Sequence, residues 1–304
     1  MRSTLLLLAF IAFSIHTLKA QQLPKTNIYH FNIEQRSDSL YSFTKPLYLT
    51  GFNSEGYNNQ PTFVSDHEIY LTVQMADDTT QTDIYSLNLK TKTKTQITAT
   101  ADSEYSPMRS GVRADSDTPA FSCVRVENDG ENTQRLWGFP MNRSNNGQPI
   151  FEKVKGVGYH TWVTPTKAAL FIVGNLDNPH RLVIADESWG RVENITANIG
   201  RCLQRMPNGN LAFVHKMGDN SWLLKKLNVN SKRPELITAM INEKEDFAIM
   251  PDGTFIMGSG SKLYKFNQKK DNSWVEIADF KYYGINNITR LAIRNGKQIA
   301  IVSK

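Results

Sequence analysis

The chain has 304 residues and a formal net charge of +6, from 35 Lys and Arg against 29 Asp and Glu. The basic residues are scattered, and their short clusters are not interleaved with aromatic residues, which argues against a nucleic-acid surface. No low-complexity linker or charge block divides the sequence, so its length and composition indicate one large domain.

The first twenty residues have the pattern of a secretory signal peptide. Arg2 gives a positively charged start, an apolar run covers residues 5–15, and Ala20 precedes a Gln-Gln pair. This run is shorter than the roughly 20 apolar residues that span a bilayer, and no other segment could cross one. We therefore predict cleavage after Ala20, with residues 21–304 as a single domain that is periplasmic or secreted and has no transmembrane segment.

Three kinds of segment then recur in a fixed order. The unit begins with two apolar strands joined by a tight turn, which is clearest at Asn208-Gly209, Asp252-Gly253 and Asn295-Gly296. Such pairs tolerate positive φ and are strong hairpin signals. A strand of alternating hydrophobicity follows, at residues 27–32, 83–88, 135–139, 181–185, 222–227 and 262–267. A short strand ends the unit, at residues 46–50, 94–98, 151–154, 192–196, 234–238 and 275–278.

The order of these segments at the two ends of the chain predicts a closed ring. The chain begins with an alternating strand and a short strand, and it ends with the paired apolar strands. We predict an all-β fold, a six-bladed β-propeller closed by N-terminal outer strands that pair with C-terminal inner strands. A spacing of about 40–50 residues fits a four-stranded blade. A β-sandwich would not repeat so regularly, and a β-solenoid would need no split unit.

Motifs for catalysis and metal binding are absent from the sequence. It has no Gly-x-Ser-x-Gly elbow, no phosphate-binding glycine loop and no zinc-type spacing of Cys or His. We therefore predict no catalytic residue, no cofactor and no metal. Acidic runs at residues 115–117 and 128–131 lack the spacing of a full calcium loop and are interpreted as turns. Cys123 and Cys202 fall on blades that are not neighbours, so we expect two buried free thiols.

A candidate ligand site follows from the topology. The first strand of each blade lines the central channel of a propeller, so residues at the start of these strands gather at one mouth. Convergent polar and aromatic groups at a concave site suggest ligand binding. The candidates are Glu104, Tyr105, Tyr159, His160, Trp162, Arg201, Glu245 and Asp246, and the same alignment adds Asn59, Gln60, Gln204, Asn287 and Thr289. The alternative is that these groups bind one another and water, and only fill the channel.

The repeats resemble the WD-like repeats of the TolB family of six-bladed propellers. The family pattern is a Pro, an aromatic residue, a Ser-Pro-Asp-Gly turn and then Asp-Ile-Tyr. The matching residues are Pro61, Phe63, Ser65 and Asp66, then Asp83-Ile84-Tyr85, and Pro251-Asp252-Gly253. The resemblance covers about residues 27–304, although most copies are degenerate, and the signal peptide resembles those of Bacteroidetes-type bacteria. The resemblance to the TolB family implies an envelope protein that binds other proteins, and it transfers no catalytic residue.

We therefore predict a monomeric, exported, non-catalytic scaffold that binds an envelope protein or a glycan at the channel mouth and binds no nucleic acid. Aromatic residues and arginine dominate binding hot spots, so the anchors would be Tyr105, Tyr159, Trp162 and Arg201. One alternative is a lyase or hydrolase that acts on acidic sugars through His160, Arg201 and Glu245. Another is a structural spacer whose exposed strand at residues 91–95 pairs with a partner.

Overall fold

The structure is a computed structural model, and it describes residues 23–110, 120–218, 221–241 and 243–304. The predicted signal peptide and the acidic run at residues 115–117 lie outside these ranges. Across the ranges that are described, the helices are three 3-10 turns, at Gly51–Asn53, Glu187–Trp189 and Lys281–Tyr283. None of them has the length or apolar character to cross a bilayer.

Twenty-four strands in the described residues form six four-stranded antiparallel sheets. The first two strands are β1 (Asn27–Gln35) and β2 (Tyr41–Tyr48). Blade one contains β3 (Tyr57–Phe63), β4 (Glu68–Gln74), β5 (Asp83–Asn88) and β6 (Lys94–Gln96). Blade two contains β7 (Ser103–Arg109), β8 (Ala120–Val126), β9 (Gln134–Pro140) and β10 (Gln148–Pro149).

Blade three contains β11 (Val157–Trp162), β12 (Lys167–Ile172), β13 (Arg181–Asp186) and β14 (Arg191–Ala197). Blade four contains β15 (Ile199–Arg205), β16 (Leu211–Lys216), β17 (Trp222–Leu227) and β18 (Pro234–Ala239). Blade five contains β19 (Phe247–Ile249), β20 (Phe255–Ser259), β21 (Lys262–Phe266) and β22 (Val275–Asp279). Blade six joins β23 (Ile288–Arg294) and β24 (Gln298–Ser303) to β1 and β2.

Blade six confirms the predicted closure of the ring. Its strand order is β2-β1-β24-β23, so both ends of the chain contribute to one sheet. β1 pairs antiparallel with β24, and the register places Asn27 opposite Ser303 and Asn32 opposite Gln298. The pairing removes the two free strand edges that the first and last strands would otherwise expose.

The core consists of six apolar layers, one between each pair of neighbouring blades. Each sheet packs on two neighbours, so its central strands are buried on both faces and read as continuous apolar runs. In β4, the five residues between Glu68 and Gln74 are all buried. Burial on both faces explains why the second strand of each repeat lacks the alternating pattern of a half-buried strand.

One strand prediction was wrong. The outer strand of blade two is Gln148–Pro149, which pairs with β9, and not the segment at residues 151–154. Phe151 and Val154 are buried in the layer between blades two and three. The spacing of these apolar residues resembles that of a strand, but their side chains pack between two blades.

Both cysteines are free and buried, as the repeat alignment predicts. Cys123 lies in the layer between blades one and two, and Cys202 lies in the layer between blades four and five. Burial raises the pKa of the Cys202 thiol to about 12. The thiol is therefore protonated at neutral pH and is a poor nucleophile.

Replacing Gly258 by alanine should destabilise the ring at the contact between blades five and six. A Cβ at Gly258 would overlap Cγ2 of Ile288 and would lie 2.7 Å from its Cβ. Overpacking of this kind costs about 1–3 kcal/mol. A Cβ at Gly51 would lie 3.4 Å from the Tyr48 ring, so Gly51→Ala is the matched control. Urea unfolding followed by tryptophan fluorescence measures both, and equal midpoints would contradict the prediction.

Candidate functional site

The directions of the strands define two different mouths of the channel. In each blade, the inner strand starts at the end of the ring where the second strand finishes; Val157 in β11, for example, pairs with Ile172 in β12. We call this end the upper face and the opposite end the lower face. Hairpins between second and third strands, and connections into the next blade, therefore lie on the upper face.

An ion-pair cluster lies at the upper mouth, where β15, β19 and β23 begin. Arg201 donates to Asp246 Oδ2 from Nε at 2.9 Å and also from Nη2. Its backbone N–H donates to Glu245 Oε2 at 3.1 Å, and Lys216 Nζ lies 3.1 Å from the same oxygen. Burial favours the neutral acid, but Arg201 and Lys216 hold the pKa of Glu245 below its ordinary value. Glu245 is therefore an ionised carboxylate.

One member of this cluster, Arg290 in β23, was not predicted from the sequence. Its Nη2 donates to the Tyr159 hydroxyl at 3.0 Å, its guanidinium lies 4.9 Å from the centre of the Tyr159 ring, and its Nη1 lies 3.7 Å from Asp246 Oδ1. The repeat alignment selected Asn287 and Thr289 for this blade. A β-bulge between Ile288 and Arg290 shifts the alternation and turns Arg290 towards the cluster.

A glycine makes room for the cluster. A Cβ at Gly200 would lie 2.8 Å from Glu245 Oε2 and 3.1 Å from Glu245 Cβ. Any larger residue would therefore push the carboxylate away from the backbone N–H of Arg201. The glycine beside Arg201 is a sequence signal for close packing, but a single sequence does not reveal what packs there.

His160 and Trp162 are buried and share Ser122 as a partner. His160 Nε2 lies 2.7 Å from Ser122 Oγ, and Trp162 Nε1 donates to the same oxygen at 2.9 Å. The Trp162 ring packs in the layer between blades two and three. We therefore leave Trp162 out of the proposed site, since its polar atom and its ring are both occupied inside the protein.

Glu104 is also buried, and its side chain has no exposed surface. Arg125 Nε donates to Glu104 Oε1 at 3.0 Å, and the Thr100 hydroxyl donates to the same oxygen at 2.6 Å. Tyr105, the next residue, is partly buried and packs against the layer between blades two and three. Glu104 therefore belongs to a buried network and is left out of the proposed site.

The amides predicted in blade one hold the inner strands of blades one and two together. Gln60 adopts a φ of 54° at a bulge in β3, and Asn59 Oδ1 accepts from its backbone N–H at 2.8 Å. Gln60 Oε1 accepts from the Thr72 hydroxyl at 2.6 Å and from the backbone N–H of Ser106 at 2.9 Å. These amides position the channel wall.

The side chains that could ligate a metal are dispersed in the part of the chain that the structure describes. There, no group of three His, Cys, Asp or Glu side chains is placed to hold a metal ion. In the run at residues 128–131, Asp129 Oδ1 accepts from the backbone N–H of Glu131 at 3.0 Å and from that of Thr133 at 3.2 Å. This aspartate organises a turn, as the sequence predicts.

The fold is shared with known propellers. No protein-family model and no curated protein matches the chain. A putative TolB from Agrobacterium tumefaciens matches with a TM-score of 0.64 at 12% identity, over 92% of this chain and 98% of that one. TolB from Acinetobacter baumannii matches with a TM-score of 0.53 at 12% identity, over 91% of this chain and 64% of that one.

An enzyme has a similar structure as well. Oligogalacturonate lyase from Vibrio parahaemolyticus matches with a TM-score of 0.51 at 13% identity, over 92% of this chain and 98% of that one. This chain spans less than two thirds of the Acinetobacter TolB. At these identities, the similarities show a TolB-like six-bladed propeller fold and do not transfer a function.

Proposed function

We propose that this protein is an exported, non-catalytic propeller that binds a protein partner of the cell envelope through its upper face. The observation that carries the proposal is the excess of exposed apolar side chains on the upper face, the face whose mouth holds the Arg201 cluster, among the residues that the structure describes. Exposed apolar surface rimmed by polar groups marks interaction sites. The family resemblance, with its envelope proteins that bind other proteins, supports the same function.

Among the described residues, the exposed large apolar side chains are unevenly distributed between the two faces. Those near the upper face are Tyr48, Val173, Leu176, Met217, Tyr282 and Tyr283. Those near the lower face are Leu40, Trp189 and Val192, and Leu236 lies midway along the outer strand β18. Leu176 is fully exposed and Tyr282 is 92% exposed. Because isolated apolar side chains are common on any surface, it is their grouping on one face that favours a docking surface.

The contacts of the cluster favour binding over catalysis. The acidic-sugar enzyme would need His160 and Glu245 to act together. His160 is bonded to Ser122 within the protein, whereas the Glu245 carboxylate contacts Arg201 and Lys216. A general acid or base must reach the proton that it transfers. Turnover of polyuronides, with or without a chelator, would overturn the non-catalytic function.

Substitutions on the upper face should abolish partner capture, whereas a matched substitution on the lower face should not. Leu176→Ser and Tyr282→Ser remove exposed apolar groups from two parts of the upper face. Trp189, which is 75% exposed near the lower face, provides the control Trp189→Ser. We expect at least a tenfold loss of the retained partner for the double upper variant and no change for the control, by quantitative mass spectrometry of captures from envelope extract.

Two outcomes would contradict this proposal. Loss of the partner in Trp189→Ser, with retention in the upper-face variant, would place the interface at the lower face. Capture of a glycan without a stoichiometric protein would favour the glycan-binding alternative.

A further inference from the structure

A cavity of about 220 Å³ runs along the channel below the ion-pair cluster. Its lining comes from the inner strands of all six blades and includes Gln60, Ser106, His160, Arg201, Asp246 and Arg290. Arg201, Asp246 and Arg290 also line a second cavity of about 200 Å³ that extends past Glu245 and Thr289. The two guanidinium groups therefore lie where the two cavities meet.

Positive charge exceeds negative charge at this junction. Among the described residues, Arg201, Arg290 and Lys216 form ion pairs with the carboxylates of Glu245 and Asp246. Glu243 and Lys244, which also line the second cavity, carry opposite charges that cancel. Asp246 Oδ2 is occupied by Arg201, and its Oδ1 makes only the 3.7 Å contact with Arg290. The cluster thus carries one positive charge without a matching carboxylate.

Arg290 has hydrogen-bond donors to spare. A guanidinium carries five N–H groups, and the one direct hydrogen bond found for Arg290 among the described residues goes to the Tyr159 hydroxyl. The guanidinium carbon also lies 4.9 Å from the centre of the Tyr159 ring, so Tyr159 contacts this group through both its hydroxyl and its ring. The remaining N–H groups are arranged in the planar fork that suits a carboxylate or phosphate group.

His160 lines the same cavity but is held inside the protein by Ser122. Ser122 Oγ accepts from Trp162 Nε1, and its single proton can go to His160 Nε2 at 2.7 Å or to the Met108 carbonyl at 3.5 Å. Whether Ser122 Oγ or His160 Nε2 donates in this contact depends on the imidazole tautomer, so the contact assigns no hydrogen to Nδ1. Nδ1 is buried and has no hydrogen-bond partner among the described residues. His160 as a whole is 4% exposed.

We propose that the channel binds an oxyanion, a carboxylate or phosphate group of a ligand that enters through the upper mouth. Arg290 and Arg201 supply the charge and the donors, and Tyr159 is a positioning residue that orients Arg290. This inference rests on the proposed function and deepens it, because it names the chemical group that the partner presents to the mouth.

Calorimetric titration of the protein with succinate and with inorganic phosphate, at an ionic strength fixed with sodium chloride, tests the site. We expect saturable binding that Arg290→Gln weakens at least tenfold. The matched control is Arg294→Gln, because Arg294 lies in the same strand and lines the same cavity but pairs with Asp66 at the lower mouth. The control should bind within twofold of the unchanged protein.

Weaker binding in Arg290→Gln could also result from misfolding, so a variant that should bind more tightly is tested as well. Asp246→Asn removes the carboxylate that competes for both guanidinium groups, so it should tighten succinate binding several-fold. In the unchanged protein, succinate should also protect Arg290 and Arg201, but not Arg294, from modification by phenylglyoxal. Heats no larger than those of sodium chloride, or equal or weaker binding in Asp246→Asn, would overturn the site.

Further experiments identify the source of the anion. They also distinguish a failure of this anion site from a failure of the proposed protein-binding function. Preference for a short peptide with a free C-terminal carboxylate over its amide identifies a chain terminus, whereas binding of phosphate alone identifies a phosphoryl group. Succinate binding without capture of any protein supports the site and contradicts the protein-binding function. If partner capture is lost in the upper-face variant but is unaffected by Arg290→Gln, the result contradicts the oxyanion site and leaves the protein-binding function supported.

Discussion

Replacing Arg125 by methionine should lower the free energy of unfolding by about 3–5 kcal/mol. The Arg125 side chain is 5% exposed, and its Nε donates to the fully buried Glu104. Its guanidinium also donates to the Asn146 carbonyl at 3.2 Å and lies 4.0 Å from the centre of the Trp137 ring. Methionine fills the space between the blades but leaves Glu104 without its cation in an apolar environment, where burial already raises its pKa.

A double-mutant cycle with Glu104→Gln gives the control. The variant Arg125→Met with Glu104→Gln removes both charges, so it should recover most of the lost stability. Lys25→Met breaks an exposed ion pair with Glu55 and should leave the urea midpoint unchanged. A single Arg125→Met variant as stable as the unchanged protein would show that the buried pair contributes nothing.

Stability should fall steeply in acid because of His160. Burial lowers the pKa of His160 to about 3, whereas an unfolded histidine titrates near 6.5. Below about pH 6.5 the unfolded chain binds a proton that the folded chain does not, so this residue destabilises the fold as the pH falls towards 3. Its contribution has a slope of up to about 1.4 kcal/mol per pH unit, which amounts to roughly 5 kcal/mol over the whole window.

The His160→Gln variant isolates this effect from the carboxylates, which titrate in the same range. Glutamine can still accept from Ser122, and it does not bind a proton in this window. The difference in unfolding free energy between the two proteins should therefore shrink as the pH falls from 7 to 4, measured by urea unfolding at each pH. His67→Gln, at an exposed turn, is the control. Parallel pH profiles for the unchanged protein and His160→Gln would contradict the assigned burial.

The fold was predictable because each blade carries its own local signals. Turns such as Asp252-Gly253 and the alternating strands recur in one order, and the split of the last repeat between the chain ends requires a ring. The failure at residues 151–154 has a physical reason. Apolar residues that pack between blades and apolar residues in a strand look the same in a sequence when the segment is four residues long.

The end of the channel at which the site lies could be predicted from the sequence. The direction in which each side chain points could not. Repeat alignment placed Tyr159, Arg201, Glu245 and Asp246 at one mouth, and the structure brings these four together. It gave no indication of which side of a strand each residue occupies, because successive side chains point to opposite faces. Trp162 consequently lies between blades, and bulges add one-residue shifts that concealed Arg290.

The pairing of β1 with β24 also determines how the ring should respond to mechanical force. Asn27 and Ser303 are partners at the same end of two antiparallel strands. Force applied between these two residues pulls across the ladder, so it loads the hydrogen bonds one at a time instead of shearing them together. The propeller should therefore open by unzipping blade six at low force, while blades one to five keep their sheets.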